Sequence, residues 1–479
     1  MLRPAAPRFN RFFATFLCAK YCIFCIGAIG TPERAGLLNW LRRSSLRAAI
    51  RRRGHRNYRD RPFLVSIIVI GGGIAGLTFA LSLKQRGIDC KVYEAAPEVK
   101  ELGVGITLLP HAVREYAALG LEAQLRAAGI ENSECAFFTR HGQFIYKEVR
   151  GVRAGYPYPE IGMHRGRLHR ILFEAALKAL GPENVRTNHQ CVKVEQDEHG
   201  VTVHFKETST GALLPPVRGD VAIAADGVNS AVRRQFYPDE QMAFGGINTW
   251  RGVTRHKPIL DGRTYIRVGS IETGKMVIYP IIDKYDDAGN QLINWVAEIR
   301  QDVTYRNDWN KPGKLEDLMP IYQDWRFDWL DVADLIARSE QILEYPMVDK
   351  DPVPQWTFGR ITLMGDAAHP MYPRGSNGSA QAIVDARTLA DLIVQASGNA
   401  ATVLKAYEDA RLEPTTKVVL TNRQAPPDLI NIRVEELTGG KPFKNIDDVI
   451  SQEELRRISD NYKSIAGFTL DSFKAKAGA

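Results

Sequence analysis

The sequence predicts an α/β protein. Its ordered body opens with a strand, a glycine turn and a helix of nucleotide-binding type, accepts an antiparallel sheet as an insertion, and closes in helices. Three observations predict this. A short β-branched run at residues 66–70 leads into Gly71-Gly72-Gly73-Ile74-Ala75-Gly76, two later glycine turns carry an acid (Asp226-Gly227 and Gly365-Asp366), and a β-rich stretch lies between them.

The first unit has the strand–turn–helix context that a GxGxxG motif requires. Residues 77–85 read as a helix with Leu77, Ala80, Leu81 and Leu83 largely apolar, and Gly87 stops it. Gly71 permits the tight turn, Gly73 lets backbone approach a pyrophosphate, and Gly76 lets helix and strand pack closely. Ile74 and Ala75 complete the turn ahead of the helix, whose start offers unpaired N–H groups and a dipole that suit phosphate. Residues 89–93 form a second strand ending at Glu94, and an acid about 20 positions beyond such a turn grips a ribose hydroxyl. An acid there disfavours a 2′-phosphate, so the tightly held ligand is FAD or NAD and not NADP.

Residues 221–224 form another apolar strand, followed by Ala225-Asp226-Gly227-Val228-Asn229-Ser230 and then Ala231-Val232-Arg233-Arg234. Further on stands Arg360-Ile361-Thr362-Leu363-Met364-Gly365-Asp366-Ala367-Ala368-His369-Pro370. With Met163-His164-Arg165-Gly166-Arg167-Leu168, these segments resemble the group A flavin monooxygenases, the single-component aromatic hydroxylases. The resemblance runs from about Val65 to about Arg423 and is nearest to the phenazine- and salicylate-hydroxylating members. It also rests on the stretches Asn248-Thr249-Trp250-Arg251-Gly252-Val253-Thr254, Tyr345-Pro346-Met347-Val348-Asp349 and Met371-Tyr372-Pro373.

That resemblance implies an FAD/NAD(P)-binding, Rossmann-like flavin domain with an inserted antiparallel β-sheet substrate domain and C-terminal helices. It implies that Asp366 bonds the ribityl chain of FAD, that Arg165 lies near the flavin or its pyrophosphate, and that Asp226-Gly227 serves both FAD and the nicotinamide. The implied reaction is hydroxylation of an aromatic or N-heteroaromatic small molecule through a C4a-hydroperoxyflavin, with O2 as co-substrate. Only one GxGxxG occurs. NADH or NADPH is therefore expected to dock transiently on the flavin domain.

The segment Pro373-Arg374-Gly375-Ser376-Asn377-Gly378-Ser379 precedes a helix, so Gly375, Asn377 and Gly378 are expected to turn backbone N–H groups toward the flavin edge where negative charge develops. Arg374 stands where the resemblance leads one to expect an apolar residue. It could stabilise the anionic flavin, hold a substrate carboxylate, or be a solvated arginine at a loop tip. His369 and Tyr372 are the catalytic candidates; packing of His369 beside Pro370 is the plainer reading of that residue. Trp250 and Tyr372 are candidate pocket walls, and Arg251 either contacts flavin or substrate or pairs with an acid. No catalytic base is evident, and no metal site is expected.

The expected organisation is a basic extension at residues 1–62, a discontinuous FAD-binding domain at 63–245 and 356–423, a substrate domain at 246–355, and a partly helical tail at 424–479. Within the substrate domain the β runs are 264–268, 276–282 and 292–300, with a turn cluster at Asp286-Asp287-Ala288-Gly289-Asn290. Trp309, Trp325 and Trp329 flank helical runs and read as core or interface aromatics. Helices resume through 382–394 and 400–422. In the tail, Ser451 and Glu454 make a capping box ahead of Leu455, Ile458 and Tyr462; no function is assigned to it.

The formal charge of +8 misleads. Residues 1–62 hold 14 Lys and Arg against Glu33 and Asp60, which leaves 49 bases against 53 acids in the body. Nucleic-acid binding by the body is not expected. Any membrane contact is confined to the extension, where residues 12–29 are apolar but broken by Lys20, short of the roughly 18 unbroken residues of a spanning helix. Neither a secretory cleavage site nor the Arg42-Arg43 pair makes a convincing signal. The extension reads best as upstream sequence before a start near Val65, since the enzymes it resembles begin almost at the first strand; a native N-terminus upstream of residue 60 would refute this. Cys18, Cys22 and Cys25 lie in the extension, and Cys90, Cys135 and Cys191 in the body lack metal spacing, which suits a reduced, cytoplasmic body.

Other chemistries share this sequence pattern: a flavin epoxidase or other flavin oxidoreductase, and a non-catalytic flavin-binding redox protein. A halogenase is disfavoured, because the Trp-x-Trp-x-Ile-Pro signature is absent and Trp325 and Trp329 sit in Trp-Arg-Phe-Asp-Trp-Leu.

Overall fold

The computed structural model describes residues 66–100, 103–300, 311–395 and 400–477; the expectations placed on residues 1–62, on a start near Val65 and on Trp309 lie outside the described residues. The first strand, Ile67–Ile70, is four β-branched residues buried without alternation, the pattern of a strand covered on both faces. It pairs in parallel with Val221–Ala224 on one side and Lys91–Tyr93 on the other. Ile361–Leu363 adds in parallel beyond Val221–Ala224, and Val185–Arg186 beyond Lys91–Tyr93. The short Thr357–Phe358 strand closes one edge antiparallel. Helices Ile74–Gln85, Arg165–Leu180 and Gly378–Gln395 pack with this sheet into one apolar core.

The first helix begins at Ile74, three residues before the expected start. Gly73 has extended backbone (φ −79°, ψ −170°) and serves as its N-cap without any side-chain bond. Gly87 sits at φ +74°, past the helix end at Gln85.

The second sheet has eight strands in the order Lys311–Pro312, Ile342–Asp349, Ala243–His256, Gln291–Arg300, Gly274–Ile282, Thr264–Ser270, Glu134–Phe138, Phe144–Val149. The three expected β runs are present, each extended by one or two residues. Pairing is antiparallel except between Thr264–Ser270 and Glu134–Phe138. The last two strands in this order come from the segment expected to belong wholly to the flavin domain, so the sheet is not a simple insertion at 246–355. Nothing local in Glu134–Phe138 distinguishes a strand of one sheet from a strand of the other.

Alternation along the strands gives the sheet two different faces. One carries Trp250, Ile266, Val268, Ile278 and Trp295 and is covered by helices Leu315–Tyr322 and Val332–Ala337. Trp325 and Trp329 belong to this side, the Trp329 ring tilted 39° against Phe138 with centroids 4.5 Å apart. The other face carries Cys135, Phe137, Tyr265, Val277 and Tyr279 and is covered by the C-terminal helices Leu429–Thr438 and Gln452–Ala466. Ser451 caps the latter by accepting from Glu454 N at 3.2 Å, and Leu455 and Tyr462 are buried. The C-terminal segment is thus a structural layer of the protein. Among the described residues no helix is long and apolar enough to cross a membrane.

Candidate functional site

Three parallel strands end in register: Ile70 lies beside Ala224, and Ala224 beside Leu363. The turns that follow them, at Gly71, Ala225 and Met364, therefore leave one edge of the sheet side by side, joined by Tyr93 and Glu94 on the far side. Ligands of open parallel sheets bind outside the carboxyl ends of the strands, and the three sequence motifs converge on that edge.

Their contacts are close. A Cβ on Gly71 (φ +102°) would stand 2.3 Å from the carbonyl oxygen of Ala225, and a Cβ on Gly76 would stand 2.0 Å from that of Gly71. A Cβ on Gly365 would meet the Ala75 Cβ at 2.9 Å. Gly73 differs: a Cβ there would touch nothing within 4 Å. The open space lies at the start of the Ile74–Gln85 helix, which has no side-chain cap and no acid in its first turn. Its first N–H groups are available to an anion.

Glu94 reaches across to the turn, its Oε2 accepting from Gly72 N at 2.6 Å and its Oε1 from Ala96 N at 2.8 Å. His169 was not anticipated; its Nε2 sits 2.7 Å from the Gly72 carbonyl oxygen. It lies one helical turn after Arg165, which is exposed at the first position of the Arg165–Leu180 helix, on the same face.

Asp226 Oδ2 accepts from Ala231 N at 2.8 Å, holding the start of the Ala231–Phe236 helix, while its Oδ1 is buried without a partner. Burial holds this carboxyl above the usual carboxylate range, with hydrogen bonds from Ser230 and the helix start opposing. Gly227 (φ +77°) opens on empty space. The two acidic turns are joined by Arg233, which is completely buried. Its Nη1 donates to the carbonyls of Ala367 at 3.0 Å and Ala368 at 2.6 Å, its Nη2 to Asp351 O at 3.1 Å, and its Nε to Glu240. Asp366 itself is exposed at the mouth of its turn.

Behind that turn lies a second buried group. Asp385 accepts from Gly365 N at 3.2 Å, from His369 Nε2 at 2.5 Å and from Arg411 Nε at 2.6 Å. His369 is 3% exposed with its ring against Trp356. The catalytic expectation for His369 is therefore replaced by the plainer one: packing turns the ring into the core, where it pins the turn. Burial would raise the Asp385 carboxyl, but His369 and Arg411 outweigh it and hold it at about 2. A depressed folded-state value contributes stability above the ordinary carboxylate pKa that is lost as pH falls through the folded value. Asp385→Asn is accordingly expected to destabilise the protein by about 2 kcal/mol at pH 7, with the gap to wild type closing between about pH 4 and 2. Denaturant unfolding of both proteins across that range measures it, and a gap independent of pH would refute the assignment.

The 373–377 loop leads into the Gly378–Gln395 helix. Asn377 is buried with its Nδ2 unpaired, and Gly378 opens the helix. Tyr372 is buried with Ile247, Ile271 and Met347. Burial, reinforced by Asp349, pushes its phenol up to about 12, so it stays protonated at neutral pH. Arg374 is not a solvated loop-tip residue: it is buried, and its Nη2 bonds Asp428 Oδ2 at 2.6 Å. Sequence offered no hint of this, because the partner lies 54 residues on, in the tail. Gly375 lies directly under the Tyr462 hydroxyl, which donates to Asn422 Oδ1 at 2.9 Å.

Trp250 requires a correction as a pocket wall. Strand parity places it in the core with Trp295, under the Leu315–Tyr322 helix. Its neighbours Thr249 and Arg251 take the opposite, loop-facing side.

The residues present fit FAD: an uncapped helix start beside open space at Gly73, an orphaned Oδ1 on Asp226 and an unpaired Nδ2 on Asn377 lie on or beside one sheet edge. Comparison with known proteins agrees. Residues 64–422 match the family profile described as "FAD binding domain". The phenazine 1,6-dicarboxylic acid hydroxylase PhzS of Lysobacter antibioticus is 42% identical over 364 residues, 74% of this chain and 89% of that protein. The 3-amino-4-hydroxybenzoate 2-monooxygenase PtnB3 of Streptomyces platensis is 34% identical over 369 residues, 75% and 87% of the two chains. Among solved structures, a point variant of Klebsiella pneumoniae HpxO complexed with FAD superposes with a TM-score of 0.67 at 25% identity, covering 84% of this chain and 98% of that one.

Proposed function

The chain belongs to the FAD-binding-domain family and is an FAD-dependent aromatic monooxygenase, and from that premise we propose that its substrate is an aromatic or N-heteroaromatic carboxylic acid. One observation carries this reading. The sheet face turned toward the 373–377 loop buries Arg267, whose Nε has no partner and which has no carboxylate within ion-pair distance among the described residues, an expensive arrangement unless an anion is to be received there. The two relatives named above act on ring carboxylates by name.

When bound, FAD reduced by NADH or NADPH supplies the oxygen chemistry. The chain's own residues hold and shield it. The start of the Ile74–Gln85 helix would take the pyrophosphate, Glu94 a ribose hydroxyl, Asp366 the ribityl chain, and Asp226-Gly227 the neighbouring phosphate or ribose. Gly375, Asn377 and Gly378 present backbone N–H groups to developing negative charge. The buried cluster of Tyr372, Ile247, Ile271 and Met347 keeps water from the reacting ring. The described cysteines, Cys90, Cys135 and Cys191, are unpaired and buried, which suits a reducing cytoplasm.

The test is substrate-stimulated oxidation of NADH and NADPH by the purified, FAD-loaded protein, with phenazine-1,6-dicarboxylate and 3-amino-4-hydroxybenzoate as first probes. Stimulation with a product carrying one added oxygen atom is expected. Stimulation only by aromatics that lack a carboxylate would overturn the substrate reading and leave the enzyme class standing.

A further inference from the structure

Among the buried cations on the loop-facing side of the sheet, one lacks a carboxylate partner. Lys275 Nζ bonds Glu298 Oε2 at 2.7 Å and Asp428 Oδ2 at 3.1 Å, and Arg374 shares the same Asp428 oxygen. Those two acids neutralise Lys275 and Arg374. Arg267, in the same cluster, has no carboxylate within ion-pair distance among the described residues. The adjoining acids Glu148 and Glu160 pair with Arg150 and Lys463, the latter also with Asp460. Arg267 is the member of this cluster without an ion-pair partner.

Its hydrogen bonding is equally incomplete. Arg267 is 4% exposed. Its Nη1 and Nη2 donate only to the Arg374 carbonyl, at 3.5 and 3.4 Å, and its Nε has no partner. The guanidinium carbon stands 5.2 Å from the Tyr265 ring centroid, and the Tyr265 hydroxyl lies 3.2 Å from Ser376 Oγ. Arg267 thus sits where the sheet meets the 373–377 loop. A buried guanidinium with three long or missing bonds costs several kcal/mol unless a planar anion completes it, and a carboxylate fits the fork in two parallel bonds.

We infer that Arg267 receives the carboxylate of the substrate and thereby fixes which part of the ring faces the flavin. This rests on the aromatic-acid reading given above. A second source of negative charge near the loop is the reduced flavin itself, and the experiment separates the two.

Arg267→Met and Arg267→Lys are compared with wild type as full-length, FAD-loaded proteins. The probe is whichever of the two acids stimulates NAD(P)H oxidation, together with its primary carboxamide. Arg267→Met is expected to raise KM for the acid about 100-fold, the loss typical of a buried charge pair, and to leave KM for the amide nearly unchanged. Arg267→Lys should recover part of the loss. Thermal unfolding of the Met variant without substrate should match or exceed wild type, because an unpaired buried charge has been removed. A purely structural arginine predicts the reverse, a lower melting temperature with acid and amide affected alike. That outcome overturns the inference, as does a Met variant that fails to fold with a Lys variant of unchanged KM. A shift in flavin midpoint potential with KM unchanged would assign Arg267 to the flavin and overturn it too. If neither acid stimulates the wild type, the substrate reading falls and this inference with it; stimulation with unaltered variants sinks the inference alone.

Discussion

Arg233→Met is expected to destabilise the protein by about 3–5 kcal/mol and to strip it of FAD. The estimate follows from what the side chain does: removing one partner of a buried pair leaves the other charge and its acceptors without solvent or partner. Glu240 would keep only Lys350, at 2.8 Å, and the carbonyls of Asp351, Ala367 and Ala368 would each lose a donor. The consequence for cofactor is specific. Arg233 belongs to the helix that Ser230 caps and whose first N–H Asp226 accepts, and it grips the backbone just after Asp366, so it fixes the distance between the two acidic turns. Arg233→Lys keeps the charge but lacks the planar fork and should fall between. Flavin-to-protein absorbance after gel filtration, with denaturant unfolding, measures both effects. Full flavin content at unchanged stability in the Met variant would disprove the clamp.

Gly76→Ala should be worse still for folding, whereas Gly73→Ala should spare the fold and weaken flavin binding. A methyl on Gly76 would lie 2.0 Å from the Gly71 carbonyl oxygen and 3.2 Å from Val69 Cγ1. That oxygen is backbone, held by the strand, so the helix itself would have to back away. Overpacking commonly costs 1–3 kcal/mol where side chains can yield, and here the obstacle is main chain. A methyl on Gly73 meets nothing, and the residue's extended φ suits alanine. It would nonetheless stand in the space that opens on the helix start. Gly73→Ala is accordingly expected to match wild type in apo-protein unfolding and to need at least tenfold more FAD for saturation. Equal FAD affinity for that variant and wild type would remove the helix start from the cofactor site.

Much of this architecture was legible because its signals are local. The strand, glycines and helix of residues 66–85 adjoin in sequence, and so do the two acidic turns and the strands that feed them. The buried ions were not legible for the opposite reason. Arg233 reaches carbonyls 134 and 135 residues away, Arg374 an acid 54 residues away and Arg411 one 26 residues away. Asp385 did leave a trace, as an acid among Ile383, Ala386 and Leu389 on the buried side of its helix. Trp250 failed as a pocket residue through parity: one step along a strand changes the face, and a motif match carries no information about which face is which. The strands of residues 134–149 were missed because sheet membership is decided by distant partners.

The C-terminal helices lie beyond the segment that matches the family profile, which ends at residue 422. Yet Asp428 holds Arg374, the Tyr462 hydroxyl covers Gly375, and Gln381 Nε2 donates to Ala466 O at 3.1 Å. This sets a timetable for the newborn chain. Synthesis proceeds from the N-terminus, so the glycine turn of the first strand emerges well before the segments that press the 373–377 loop into shape. The glycine turn and the 373–377 loop are thus framed by parts of the chain made at different times, and the loop can take its shape only once residues 428–466 have been added.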